Sequence, residues 1–119
     1  MIRLLLSVLI AFPSYAGQTG PVKLLERDYV SASCEGQTEY PLPDGTRVDC
    51  LTDTHAIEYD KGSNWAEALG QALFYSAMTG KKAGIVLITN PNSKARFLKR
   101  LEIAIAAHDL KVDVFTLDK

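Results

Sequence analysis

Six side chains within residues 45–75 have the types and spacing to hydrolyse a phosphodiester: Asp49, Glu58, Asp60, Lys61, Gln71 and Tyr75. That reaction needs a divalent ion to neutralise phosphate oxygens and activate a water, and magnesium is usually held by only one or two carboxylates, with waters and substrate phosphate completing its shell. Asp49 stands in an apolar run between Val48 and Cys50, a costly place for a carboxylate without a partner. Glu58 and Asp60 are two apart at the end of the next apolar run, so on a strand they point to one face. If the two strands are neighbours, Asp49 and Glu58 or Asp60 share one Mg2+ or Mn2+ ion, and Lys61 orients or polarises the attacking water. Glu67, Gln71 and Tyr75 follow at four-residue intervals, which places them together on one side of a helix. His55 is a further phosphate donor or base, or else a solvated turn histidine. Glu26 either approaches the same site or is a plain surface glutamate.

The elements that must position these groups follow from local chemistry. Residues 22–32 show apolar spacings of three and four, which predict an amphipathic helix. Residues 38–42 and 46–51 read as two strands joined by Pro43-Asp44-Gly45, where proline presets φ, aspartate bonds its own backbone and glycine takes the left-handed position. Residues 55–59 predict a third strand. Asn64 is placed to cap a helix over residues 65–78, which Thr79-Gly80 ends. The continuous apolar run 84–89 predicts a strand buried on both faces, residues 93–108 a helix, and residues 112–117 a last strand. The expected class is α/β (α+β), in the order α-β-β-β-α-β-α-β, with a mixed central sheet flanked by helices.

Residues 1–16 carry one positive charge at Arg3, an apolar run too short to span a bilayer, a proline, and small residues at Ser14 and Ala16. They predict a secretory signal, leaving one exported domain over residues 17–119, periplasmic or secreted, with no membrane span. Setting Arg3 aside, 12 basic residues face 14 acidic ones, so bulk charge does not indicate a strongly basic nucleic-acid binder. Any such contact rests on a local patch such as Lys81, Lys82, Lys94, Arg96, Lys99 and Arg100, a cluster that also suits a solvated helix face. Cys34 and Cys50, in an oxidising compartment, are expected to form a disulfide; metal ligation is the alternative, and no further ligand lies at zinc spacing.

The run D-x8-E-x-D-K followed by Q-x3-Y, formed here by Asp49, Glu58, Asp60, Lys61, Gln71 and Tyr75, resembles the restriction-endonuclease-like PD-(D/E)XK nuclease superfamily, in particular its Gln-x-x-x-Tyr branch. The resemblance implies a magnesium-dependent nuclease acting on DNA or RNA, with Asp49 and Glu58 as metal ligands and Gln71 and Tyr75 holding the site and the strand being cut. One position departs from that pattern. Asp60 stands where the family places its water-positioning lysine, and Lys61 comes one residue late, on the opposite side of a regular strand. A catalytically inactive domain of the same fold, binding a nucleic acid or a protein, is therefore the alternative expectation.

Overall fold

The Pro43-Asp44-Gly45 turn is closed by the bonds its composition predicts: Asp44 Oδ1 accepts from the Thr46 N–H (3.1 Å) and hydroxyl (2.6 Å), and Gly45 takes φ +89°. A computed structural model of the chain describes residues 22–119, with Ala11 and Gly20 before them, so the predicted signal segment lies, Ala11 apart, outside the described residues. The elements are α1 (Glu26–Ser33), β1 (Gln37–Pro41), β2 (Arg47–Leu51), β3 (His55–Lys61), a 3-10 turn (Gly62–Asn64), α2 (Trp65–Thr79), β4 (Lys82–Thr89), α3 (Lys94–Ala107) and β5 (Val112–Asp118). Helix α1 begins later than its apolar spacing predicts. Asp28 Oδ2 reaches back to the Leu25 N–H (2.7 Å) and sets the first turn there, with Leu24 and Leu25 left exposed.

The five strands form one mixed sheet in sequence order, antiparallel from β1 to β3 and parallel from β3 to β5. Its two faces bury different elements. On one, Val30 of α1 packs with Cys50, Tyr59 and Val86. On the other, Ala68 and Ala72 of α2 and Leu101 of α3 pack on Ala83, Ile85 and Leu87 of β4. The strand period thus gives β4 apolar residues on both faces, as its unbroken apolar sequence requires. Among the described residues no helix is long and apolar enough to cross a membrane.

A disulfide joins Cys34, at the end of α1, to Cys50 in β2 (Cα–Cα 5.8 Å), and so fixes α1 beside the strand that carries Asp49. The closed segment is short, with a sequence separation of 16, and a loop of that length contributes about 3 kcal/mol in the chain-entropy account. A Cys34→Ala/Cys50→Ala variant, which avoids leaving a hydroxyl at the fully buried Cys50 position, is therefore expected to lose about that much stability. Urea unfolding checks this, and an unchanged midpoint would exclude it.

Candidate functional site

β2 and β3 pair only at Cys50↔Ile57 and Leu51↔Ala56, after which the ladder opens into a fork. Asp49 fills its mouth: Oδ2 accepts the Tyr59 N–H (2.8 Å), replacing the backbone carbonyl a continued ladder would offer. Glu58, next to Tyr59, turns to the opposite face. It pairs with Ile85 across the parallel ladder and is only 5% exposed. The carboxyl groups of Asp49 and Glu58 lie within hydrogen-bonding reach of each other, and among the described residues Glu58 Oε2, which is buried, has no hydrogen-bond partner. Burial, the Asp49 charge and that hydrogen bond push the Glu58 carboxyl up to about 10. Burial also raises Asp49, although the Tyr59 N–H opposes it. At neutral pH the two acids therefore share a proton, the state a close carboxyl pair adopts when no cation balances it.

More acids surround the pair. Glu26 at the start of α1 is pushed up to about 7 by burial and by the charges of Asp60, Asp49, Glu39 and Glu67. Its side chain is nonetheless exposed, so Glu26 stands toward solvent while its charge and those of the fork acids act on one another. Glu39 is the contributor no sequence pattern indicated, and it sits at φ +53° in β1, a left-handed conformation uncommon outside glycine. Asp60 is buried and raised by desolvation, but its Oδ1 already accepts the Lys61 N–H (2.8 Å) and Asn64 Nδ2–H (3.1 Å). It fastens the end of β3 to the 3-10 turn. Asn64 does precede α2, yet its side chain serves Asp60 and makes no cap bond.

From α2, Tyr75 faces the fork, packing near Val48 and Ala56. Burial and the charges of Glu58 and Asp49 push its phenol up to about 12, so it remains a donor. Gln71, half-buried one turn earlier, donates to Glu67 Oε1 (3.1 Å). Two predicted residues stand elsewhere. His55 begins β3 and joins Thr54 Oγ1 (2.7 Å, Nδ1) to Asp113 Oδ2 (2.6 Å, Nε2), holding the edge strand β5. Lys61 ends β3 with an exposed side chain in a cleft beside Thr89 and Arg96, and the groups acting most on Asp49 and Glu58 include no cation.

Among the described residues no three His, Cys, Asp or Glu side chains are grouped to hold a metal ion. The fork offers a pair, Asp49 and Glu58, and a pair suits Mg2+ or Mn2+, which complete their shells with water and phosphate. The orphaned Glu58 oxygen and the proton shared within the pair fit such an ion, since a cation would satisfy the first and displace the second. Comparison with protein-family models, with curated proteins and with solved structures gives no match for this chain.

Proposed function

We propose that the chain is an exported, divalent-cation-dependent phosphodiesterase acting on nucleic acid, built on a restriction-endonuclease-like core, with Asp49 and Glu58 as the protein ligands of Mg2+ or Mn2+. One observation carries this reading: a half-buried and a buried carboxyl, Asp49 and Glu58, meet at a strand fork, and among the described residues one Glu58 oxygen has no partner. A cation held there would neutralise phosphate oxygens and lower the pKa of a water. Asp49 is oriented for this by the Tyr59 N–H, and Glu58 by its place on the helix-covered face of β3. Tyr75 keeps its proton and can donate to a phosphate oxygen at the fork, with half-buried Gln71 and exposed Glu67 one and two turns before it on α2. Asp60 holds the end of β3 and adds negative charge. The element order and the acid pair on consecutive strands support the nuclease-like topology, and the disulfide supports export to an oxidising compartment.

A second reading, cation-dependent binding without cleavage, is favoured by the position of Lys61 in the cleft beside Thr89 and Arg96, since among the described residues no cation figures among the groups acting most on Asp49 and Glu58. One experiment separates the two. The purified protein is incubated with end-labelled single- and double-stranded DNA and RNA, with Mg2+ or Mn2+ and with EDTA. Cation-dependent fragmentation is the expected result. Cation-dependent retention of intact strands selects the binding reading, and neither fragmentation nor retention excludes both.

A further inference from the structure

The basic residues near the end of β3 and the start of α3 form a feature the fork does not use. At the carboxyl ends of β3 and β4 opens a cleft of about 430 Å³ that Lys61, Thr89, Ser93, Arg96 and Lys119 help to line, and among the described residues no acidic side chain does. Crevices outside the carboxyl ends of parallel strands are where open sheets receive ligands. Among the described residues Lys61, Arg96 and Lys119 make no ion pair, whereas Lys94 is paired with Asp118 at 3.4 Å. Arg96 lies over the Phe97 ring (4.7 Å to the centroid), which holds the guanidinium by its face and leaves its N–H edges free. Gly62 permits this packing, because a Cβ there would meet the Phe97 ring at 2.9 Å.

Two further observations point to an anion. Helix α3, 14 residues long, has no acidic residue in its first turn and no side-chain cap, because the Ser93 hydroxyl is bonded to Asn90 Oδ1 (2.9 Å). The Lys94 and Phe97 amides donate to the Asn90 and Ser93 carbonyls (3.0 and 3.2 Å), and among the described residues the Ala95 and Arg96 amides between them keep their partial positive charge. Thr89, on the cleft wall and 2% exposed, has a buried hydroxyl with no hydrogen-bond partner among the described residues. A hydroxyl buried in that way is costly unless something accepts from it.

We infer that this cleft is a binding site for a phosphoryl group, with Lys61 and Arg96 supplying charge and the Ala95 and Arg96 amides and the Thr89 hydroxyl supplying directed donors. Free phosphate and the backbone phosphate of a nucleic-acid strand present the same oxygens. The site stands without the function proposed above; the strand as its source rests on it. Lys61 adjoins Asp60 in β3, so a strand held in the cleft would run beside the fork. On this account Lys61 is displaced from the acid pair because it holds a neighbouring phosphate.

The test is a titration of the ¹⁵N-labelled protein with inorganic phosphate, followed by amide shifts. Saturable shifts confined to residues 61–63 and 94–97 are expected, and Lys61→Glu and Arg96→Glu, both at exposed positions, should abolish them. Thr89→Val should weaken phosphate several-fold while melting at the same or a higher temperature, a combination a purely structural hydroxyl does not give. Scattered shifts, or shifts unchanged in the two charge reversals, would overturn the site. In a second arm a labelled oligonucleotide is bound in calcium, and Arg96→Glu should cost roughly tenfold, with a smaller salt dependence. Phosphate binding without an oligonucleotide effect would keep the site and assign it to free phosphate or a small phosphate ester. Magnesium binding at Asp49 and Glu58 should be unchanged in both reversals, so failure at the cleft and failure at the fork are read separately.

Discussion

Glu58→Gln is expected to abolish cation-dependent cleavage and, at neutral pH, to make the protein more stable. The activity term follows from the ligand role. Even partners that only orient a metal ligand cost roughly 10- to 100-fold when removed, so loss of one of two carboxylate ligands should cost at least about a hundredfold. The stability term has the opposite sign for a reason visible at the fork. Folded Glu58 holds its proton up to about pH 10, while the unfolded chain releases it near 4.5, so at pH 7 the unfolded state gains by ionising. Glutamine matches the neutral acid in size, offers Asp49 an N–H donor and ionises in neither state. Removing that gain is worth up to about 3 kcal/mol at pH 7. A residue that was merely structural would lose stability along with activity. Cleavage within a few-fold of the parent, or a lower denaturation midpoint, would remove Glu58 from the site.

Asp49 needs a different substitution. Asp49→Ala would also leave the Tyr59 N–H unpaired at the fork, a cost of about 1–3 kcal/mol that could account for lost activity by itself. Asp49→Asn keeps an oxygen for that N–H and removes only the charge. It should therefore lose cleavage without a comparable loss of stability.

The fork was partly legible in the sequence. A short connection from Leu51 to His55 makes neighbours of two strands, so an acid midway along one and an acid near the end of the next must come close. The hairpin turn, the glycine end of α2 at Gly80 (φ +70°) and the buried run of β4 were equally local, each decided within a few residues. What escaped depends on contacts distant in sequence. β4 starts at Lys82 and not at Gly84 because His55 and Ala56 extend the parallel ladder there. Glu39 carries no motif, and its inward influence comes with a φ of +53° that no local residue type dictates. The odd place of Lys61 was visible from the strand period, but its destination was not, because the cleft is made by β3, β4 and α3 meeting. Tyr75 was found by spacing on the helix. His55 was not resolved by sequence, since its partner Asp113 lies 58 residues away.

The same acid cluster fixes how stability should respond to pH and to magnesium. Glu58 and Glu26 are raised in the folded state, to about 10 and about 7, and Asp49 and Asp60 are raised as well. A carboxyl with a raised folded pKa contributes stability that is complete below its unfolded value and is lost as pH climbs toward the folded one. Asp44, lowered by its bonds from Thr46, works in the other direction, but only as the pH falls through the acid range below its ordinary value of 3.8. In EDTA the melting temperature should therefore be highest near pH 4–5 and fall through neutrality, where the Glu58 contribution alone amounts to on the order of 3 kcal/mol between pH 4.5 and pH 7. On the proposed reading magnesium would take the place of the shared proton. Its affinity should rise about tenfold per pH unit while Glu58 remains protonated in the free protein, and each ion bound should release close to one proton. Excess magnesium should accordingly raise the melting temperature little near pH 5 and substantially near pH 8, flattening the profile. Glu58→Gln should flatten it without magnesium and lose the response to the ion. Thermal melts of both proteins across that range decide the matter: a parent curve that rises toward pH 8 in EDTA, or a magnesium effect equal at pH 5 and pH 8, would mean that the pair at the fork is not where the cation binds.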